Sequence, residues 1–339
     1  MVYTKRNHKN QFVLKLSMID DERMELLAQV AEMYYLQHMN QAAIAKQLFF
    51  SRSKVSRLLT EARELGLVEV NIHHPLKRDV NLERQISDKY QLKQTLILKS
   101  WNFAVHQMLK TLGRLAAKYI DDNLEDESTL GISWGTAVHE MAQSFRPKNI
   151  RDFNVVQVIG SIGYGDPSID GPEVARHIAA NYSGKYLTLN APVIVNDKST
   201  RDGLLRERKI QNVIQKANQA DYIVAGIGSS DPGRSGLVRA GYLLDREMIK
   251  INNESGAVGD LCACLFNRDG EYQDIRFNDR VVGISLDQIK SSPAEVIGIA
   301  GGEEKAEAIL GALRGRLINT LITDDKAAEK IIKIDNNGK

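Results

Sequence analysis

The spacing of apolar and polar positions predicts three short helices near the start of the chain. Residues 22–37 place apolar side chains at intervals of three and four, which is the spacing of one buried helix face. A second helix is predicted over 41–48 and a third over 51–65. Ser51 is a favourable N-cap residue and Gly66 a favourable stop, so the sequence marks both ends of the third helix.

Residues 67–72 alternate apolar and polar positions, which predicts a short strand before Pro75 interrupts the chain. This strand would be the wing of a helix-turn-helix domain. Residues 76–90 then predict a helical connector. The expected segments are a basic arm (1–19), a helix-turn-helix domain (20–75), a helical linker (76–91) and a larger C-terminal domain (92–335).

Beyond residue 92 the pattern changes to short apolar runs separated by amphipathic stretches. Such alternation predicts an α/β domain with a mostly parallel sheet covered by helices. The runs that predict strands are Thr95–Leu98, Thr129–Ser133, Val155–Ile159, Tyr186–Leu189, Tyr222–Ile227, Leu261–Phe266, Val281–Ile284, Val296–Ala300 and Asn319–Thr323. The helical stretches between several of them are 104–120, 171–182, 203–217, 303–314 and 325–333.

The charge signal in this chain is local. The 339 residues suggest two domains, and 43% apolar with 26% charged residues is ordinary for a globular protein. The net charge is only +2. The stretch 33–60 nevertheless has no acidic residue and four cations, which are Lys46, Arg52, Lys54 and Arg57. Such a cluster attracts phosphate whatever the total charge is.

Two short helices joined by a tight turn are typical of a helix-turn-helix that binds double-stranded DNA. A recognition helix presents its N-terminal residues to base edges in the major groove. Arginine and lysine bind phosphate or guanine there, and serine hydroxyls add short hydrogen bonds. The candidate DNA-binding residues are Ser51, Arg52, Ser53, Lys54, Ser56 and Arg57. The alternative interpretation is an amphipathic helix pair with a solvated charged face.

This segment also resembles a known family. Gln41–Leu48 (QAAIAKQL) and Ser51–Leu59 (SRSKVSRLL) resemble the helix-turn-helix of the SorC family of sugar-responsive bacterial transcriptional regulators, and Ala62–Val68 (ARELGLV) continues the resemblance. The family usually has glycine before an aliphatic residue in the turn, whereas this chain has Phe49-Phe50. Because glycine supports a left-handed backbone there, Phe49 must either accept strain or turn differently.

Glycine-rich stretches follow several of the predicted strands. Ligands of open parallel sheets bind beyond the carboxyl ends of strands, where helix N-termini and bare amides suit phosphate. The stretches are Gly131–Thr136, Gln157–Ser161, Gly226–Ser229, Gly256–Asp260 and Gly301–Lys305. A glycine after a strand is most often only a turn residue, and none of the five is a P-loop. Five at comparable positions favour a phosphate-binding region.

The resemblance to the SorC family extends from about Gln41 to Ala328. It is most specific at Gly256–Asp260, 301–309 and Leu321–Asp324. It implies a Rossmann-like effector domain similar to sugar-phosphate isomerases and glucosamine-phosphate deaminases. It also implies a phosphorylated sugar or polyol as effector, and a dimer or tetramer as the working unit.

By position, the resemblance implies roles for single residues. The pairs Gly135-Thr136 and Gly160-Ser161 are expected near the phosphate, offering amides and hydroxyls. Asp260 is expected to accept hydrogen bonds from sugar hydroxyls, and Lys305 to meet an anionic or carbonyl oxygen. The full expected effector-binding set is Gly135, Thr136, Gln157, Gly160, Ser161, Gly228, Ser229, Arg239, Asp260 and Lys305. The alternative for Lys305 is a solvated surface lysine, and the alternative for Asp260 is a turn acid that caps a neighbouring residue. Trp134 either stacks on the ligand or lies in the core.

The cysteines and the longest apolar runs indicate no metal site, disulfide or membrane span. Cys262 and Cys264 are expected to be small buried residues on one face of a strand, because a lone C-x-C pair is a poor metal or disulfide signal. No apolar run approaches the ~20 residues of a membrane span, and the N-terminus shows no signal segment. We therefore expect a cytoplasmic protein without a membrane partner, a cofactor or a metal.

The expected function is a DNA-binding regulator of a carbohydrate-utilisation operon, controlled by a sugar phosphate. One alternative is a sugar-phosphate isomerase or deaminase, in which a lysine and an aspartate act as acid and base. Fold similarity does not transfer function, and a metabolic enzyme has no need of a cationic helix-turn-helix, so we expect no enzyme. A binding module without DNA contact is the other alternative.

Overall fold

The computed structural model describes residues 21–68, 75–101, 103–163 and 167–337. The chain divides after residue 73 into two compact units. The predicted basic arm lies outside the described residues, as does all of the predicted wing strand except Leu67 and Val68, which form a bend. The predicted domain boundaries stay predictions.

The first unit contains the three predicted helices. They are α1 (Asp21–Tyr35), α2 (Gln41–Gln47) and α3 (Arg52–Glu64). Asn40 caps α2 by accepting a hydrogen bond from the Ala43 N–H at 2.9 Å, and Ser51 caps α3 by accepting one from the Lys54 N–H at 3.2 Å. The helices share one buried core, formed by Leu27, Val30, Ala31, Met33, Ile44, Ala45, Val55, Leu58, Leu59, Ala62 and Leu65.

The sequence left two alternatives for the turn between α2 and α3, and the structure has the one in which Phe49 accepts a strained, left-handed backbone. Phe49 has φ +57°. The Leu48 N–H donates to the Ile44 carbonyl and the Phe50 N–H to the Ala45 carbonyl, each at 2.9 Å. This pattern ends α2 as a Schellman motif does, with a left-handed residue just after the cap.

The second unit is an α/β domain built on one nine-stranded sheet. Its strands are β1 (Gln94–Leu98), β2 (Thr129–Ile132), β3 (Asn154–Gln157), β4 (Lys185–Leu187), β5 (Tyr222–Ser229), β6 (Ala257–Leu261), β7 (Cys264–Asn267), β8 (Glu295–Ile299) and β9 (Thr320–Asp324). Seven of them pair in parallel in the order β1-β9-β8-β5-β2-β3-β4, and β6 with β7 forms an antiparallel hairpin on the end of β5. The fold class expected from the sequence is confirmed.

The helices of the second unit cover both faces of the sheet. They are α4 (Val80–Tyr90), α5 (Val105–Asn123), α6 (Thr136–Ala142), α7 (Gly171–Asn181), α8 (Lys198–Arg206), α9 (Arg208–Asn218), α10 (Gly236–Arg239), α11 (Asp245–Ser255), α12 (Leu286–Ser291), α13 (Ala306–Arg314) and α14 (Asp325–Asn337). Neighbouring strand residues alternate between two buried clusters: Leu321 joins the cluster with α9 and α13, and Ile322 the cluster with α5 and α7. The sheet is therefore buried on both faces, as parallel sheets are.

Three predictions of secondary structure are wrong. The run 261–266 is a hairpin, because Cys262 and Ala263 form a turn between β6 and β7. The run 281–284 makes only isolated bridges and is no regular strand. The stretch 203–217 is two helices, α8 and α9. Residues 80–90 of the predicted connector are helical, and this helix packs on β1 within the second unit.

Candidate functional site

A pocket opens at the carboxyl ends of β2, β5 and β8, where open parallel sheets bind ligands. Six residues of the expected effector-binding set line it: Gly135, Thr136, Gly228, Arg239, Asp260 and Lys305. Other lining residues are Ser133, Trp134, Ala137, Ile159, Gly226, Ile227, Cys262, Ala263, Ala300 and Gly301. The sequence therefore brings residues from distant parts of the second unit to one space.

Asp260 is the buried acid of this pocket. It lies on β6 opposite Gly228 of β5 and is only 6% exposed. A Cβ at position 228 would lie 1.7 Å from Asp260 Oδ1, so the glycine leaves room for the carboxylate. Burial raises the pKa of Asp260 to about 6, against the opposing attraction of the Lys305 ammonium and a hydrogen bond from the Ala263 N–H.

Lys305 lines the pocket from the short 3-10 turn that precedes α13. Gly302 comes just before that turn with φ +100°, and Lys305 ends it. The Lys305 Nζ donates a hydrogen bond to the Ile227 carbonyl at 3.1 Å. Burial lowers the pKa of Lys305, while the Asp260 carboxylate raises it. A half-buried ammonium and a buried carboxylate thus share one wall, so the pocket offers both a donor for an anionic oxygen and an acceptor for a hydroxyl.

Gly135, Thr136 and Arg239 complete the predicted residues of the pocket. Gly135 has φ +116° and donates its N–H to the Ile169 carbonyl at 3.1 Å, so this amide is engaged within the protein. Thr136 begins α6 and is exposed. Arg239 ends α10, is exposed, and donates from Nη1 to the Arg234 carbonyl at 2.6 Å. The expected free amide at 135 is thus not available, whereas the hydroxyl and the guanidinium are.

The other four expected residues do not line the pocket. Gln157 is fully buried and both ends of its amide are hydrogen-bonded: its Oε1 accepts from the Leu189 N–H at 3.1 Å, and its Nε2 donates to Ser161 Oγ at 3.2 Å. A Cβ on Gly160 would lie 2.6 Å from two carbonyl oxygens, so close backbone approach accounts for this glycine. Ser229 Oγ accepts a hydrogen bond from a backbone N–H at 3.2 Å. The Gln157, Ser161 and Ser229 side chains are therefore hydrogen-bonded within the protein, and Gly160 has a packing role.

Two parts of the pocket carry features that the sequence did not indicate. The Trp134 Nε1 is buried and has no hydrogen-bond partner among the described residues, so it is an unused donor in a residue that lines the pocket. Cys262 and Ala263 form the hairpin tip with φ +51° and +62° and are buried. The burial expected for Cys262 and Cys264 is confirmed, but their expected place on one face of a strand is wrong, because Cys262 lies in the turn and only Cys264 in a strand. Neither turn residue is glycine or asparagine, so the turn left no signal in the sequence.

The candidate recognition helix is α3. Its buried side carries apolar residues, and its other side exposes Ser51, Arg52, Ser53, Ser56 and Arg57. Lys54 is half-buried, with its Nζ 3.5 Å from the centre of the Phe50 ring. Over residues 51–57, the exposed side therefore offers two guanidinium groups and several hydroxyls without an acid among them.

Comparison with known proteins identifies the family. The family model for the sugar-binding domain (Sugar-bind) matches residues 74–333. The chain belongs to the sugar-binding domain family of SorC-type transcriptional regulators. It is 28% identical to the deoxyribonucleoside regulator of Bacillus subtilis (strain 168) over 93% of this chain and 99% of that protein. It is 30% identical to the transcriptional regulator LsrR of Enterobacter sp. (strain 638) over 91% of this chain and 93% of that protein.

The fold agrees with this membership. The crystal structure of the full-length sorbitol operon regulator SorC from Klebsiella pneumoniae matches with a TM-score of 0.70 and 28% identity, over 93% of this chain and 99% of that chain. Relatives named as regulators place this SorC-type chain among regulators and not among enzymes. Within the described ranges, no helix is long and apolar enough to cross a bilayer.

Proposed function

We propose that this chain regulates a carbohydrate-utilisation operon by binding operator DNA through α3, and that a phosphorylated sugar or polyol in the pocket of the second unit controls this binding. The observation that carries the effector half is the shared pocket wall of Lys305 and Asp260. The relatives named for the sorbitol operon and for deoxyribonucleosides support a sugar-related ligand. The proposal includes a dimer or tetramer as the working unit.

The charges of the pocket favour a phosphorylated ligand over a neutral sugar. Lys305 is half-buried and Arg239 is exposed beside the same space, so a phosphate would meet two cations from different elements. Asp260 would then accept hydrogen bonds from hydroxyls of the carbon chain. A neutral sugar would leave the Lys305 ammonium without an anionic partner from the ligand.

Control of DNA binding follows from differential affinity. The effector binds one arrangement of the assembled chains better than another and thereby shifts the population that binds the operator. Coupling between two such sites is typically about 1–3 kcal/mol, which is five- to 150-fold in affinity. A sugar phosphate that bound tightly but left operator affinity and oligomeric state unchanged would contradict this mechanism.

The effector half is tested by thermal shift with matched pairs of phosphorylated and unphosphorylated sugars and polyols. A ligand at about 100 times its Kd stabilises the folded chain by roughly 2.7 kcal/mol. We expect stabilisation by the phosphorylated member of a pair, and its loss in Lys305→Ala. The control is Lys250→Ala, which removes an exposed lysine paired with Glu254. Equal shifts with both members of every pair would refute the phosphate requirement.

The DNA half is tested with a duplex selected from a random-sequence pool by the full-length chain. Arg52→Ala and Arg57→Ala should weaken binding and reduce the slope of log affinity against log salt by about one for each phosphate group that the variant no longer binds. The control is Arg151→Ala, an exposed arginine of the second unit. Unchanged retention of the duplex by the variant with both substitutions would refute DNA binding through α3, and failure of the wild-type chain to select any duplex would favour a module without DNA contact.

A further inference from the structure

Phe49, in the turn between α2 and α3, combines two features that each lower the stability of the first unit. It is 95% exposed, the largest exposed fraction of any large apolar side chain in the described ranges. Its φ of +57° lies in the left-handed region, which is unfavourable for every residue with a bulky side chain. Packing within the described chain does not offset this strain, because the ring is exposed.

The local hydrogen bonds hold Phe49 in this conformation. The Phe50 N–H reaches back to the Ala45 carbonyl at 2.9 Å, and this bond requires a left-handed residue at position 49. Glycine would meet the same requirement without a steric penalty. The phenyl ring at this position therefore gives the folded unit nothing that glycine would not give.

The charges around the turn indicate what the ring contacts. Lys46 and Arg52 are exposed and lie three residues before and after Phe49, within a stretch that has no acidic residue. Phosphate groups bound by these cations would bring a nucleic-acid backbone against the turn. Phe50 packs instead against the core of the first unit and lies under the Lys54 ammonium. Of the two rings, only that of Phe49 is presented outward beside the cations.

We propose that Phe49 contacts DNA directly, with its ring against an apolar part of the duplex next to the recognition helix. The chemistry is that of a thymine methyl group or a deoxyribose. This inference rests on the proposed operator binding by α3. Contact with a thymine methyl reads sequence, whereas contact with deoxyribose adds affinity without reading it.

The test uses Phe49→Gly in the full-length chain with the selected duplex. Because glycine removes the strain, the unfolding midpoint of the first unit should rise, by roughly 4 °C. Because the ring is gone, duplex affinity should fall roughly tenfold, which corresponds to about 1.4 kcal/mol. A gain in stability together with a loss of affinity is not expected of a purely structural residue. Leu36→Ala, which removes another exposed apolar side chain of the first unit, is the matched control and should leave affinity unchanged.

Further arms identify the contact. Phe49→Tyr should keep most of the affinity, and Phe49→Asn, which also tolerates a left-handed backbone, should lose it. Replacing thymine by uracil in the duplex removes the methyl groups. If the partner is a thymine methyl, the wild-type chain loses affinity for the uracil duplex and Phe49→Gly does not. If the partner is deoxyribose, Phe49→Gly is weaker than wild type on both duplexes by the same factor.

Three outcomes separate failure of this inference from failure of the proposed function. Equal affinity of Phe49→Gly and wild type would overturn the contact and leave operator binding standing. A loss of affinity with a smaller salt slope would also overturn it, because movement of α3 would then have weakened its binding to phosphate. If the wild-type chain selects no duplex, or if Arg52→Ala leaves its affinity for the selected duplex unchanged, the proposed DNA binding through α3 is itself wrong.

Discussion

The Asp260→Asn substitution separates the effect of the buried carboxylate on folding from its effect on binding. Asp260 is 6% exposed, and its pKa is raised from 3.8 to about 6, chiefly by burial. The folded chain therefore holds this proton more tightly than the unfolded chain does. The contribution of Asp260 to the free energy of unfolding therefore falls by about 3 kcal/mol as pH rises from about 4 to about 6.

Asparagine resembles the protonated carboxyl group and cannot ionise. We expect Asp260→Asn to match the wild-type free energy of unfolding below pH ~4 and to exceed it by up to about 3 kcal/mol above pH ~6. The chain has two tryptophans, Trp101 and Trp134, and both lie in the second unit. Urea unfolding followed by tryptophan fluorescence at a series of pH values therefore reports on the unit that contains Asp260.

The control and the binding measurement complete this test. Asp122→Asn removes a carboxylate from an exposed ion pair with Lys118 and controls for the loss of one negative charge. Effector binding should weaken in Asp260→Asn, because hydrogen bonds to a charged acceptor contribute about 1.5–3 kcal/mol. A variant less stable than wild type at pH 8 would refute the reasoning, since the attraction between Asp260 and Lys305 would then outweigh the unfavourable burial.

Two glycines and the pH dependence of binding give further predictions. Gly228→Ala places a Cβ 1.7 Å from Asp260 Oδ1 and should destabilise the second unit by about 1–3 kcal/mol and abolish the effector-induced thermal shift; a normal shift would contradict this. Gly160→Ala places a Cβ 2.6 Å from the Ala191 and Pro192 carbonyl oxygens and should destabilise by a similar amount. Calorimetric titration should nevertheless show an unchanged Kd for the folded fraction of Gly160→Ala, and a weaker Kd would place Gly160 at the ligand. Affinity for a sugar sulfate, whose anion does not titrate in this range, should fall as pH drops through about 6, and Asp260→Asn should lack this dependence.

The helix-turn-helix was predictable because its signals are local. The cap at Ser51 and the apolar spacing of the helices lie within a few residues of the structure they specify. The sequence left two alternatives for the backbone conformation of Phe49. The carbonyl that accepts the hydrogen bond of the Phe50 N–H decides between them. That partner depends on how α2 ends, which no single residue type fixes when glycine is missing.

The pocket was predicted less completely, because a glycine after a strand has several physical meanings. Gly228 makes room for a carboxylate across an antiparallel pair, whereas Gly160 allows two backbone segments to approach. In the sequence, both positions are simply a glycine that follows a predicted strand. Only the tertiary contacts distinguish the two roles. The hairpin at 261–266 was missed for a related reason. Its turn is formed by Cys262 and Ala263, which are buried apolar residues and therefore continue the apolar pattern of a single strand in the sequence.

Backbone strain alone does not mark a binding site in this chain. Gln91 has φ +55° as the residue that ends α4, and a left-handed residue there is an ordinary helix cap. The hairpin tip differs, because its two left-handed residues adjoin a carboxylate whose burial is itself unfavourable. The strained backbone and the buried carboxylate are already present in the folded chain before a ligand binds. A ligand that hydrogen-bonds Asp260 therefore meets a preorganised acceptor, and its binding free energy is not reduced by the need to order that group. Phe49 fits the same argument, because its strain coincides with a second unfavourable feature, the 95% exposure of its side chain. A partner outside the chain can therefore add the most stabilising free energy at positions that combine two unfavourable features.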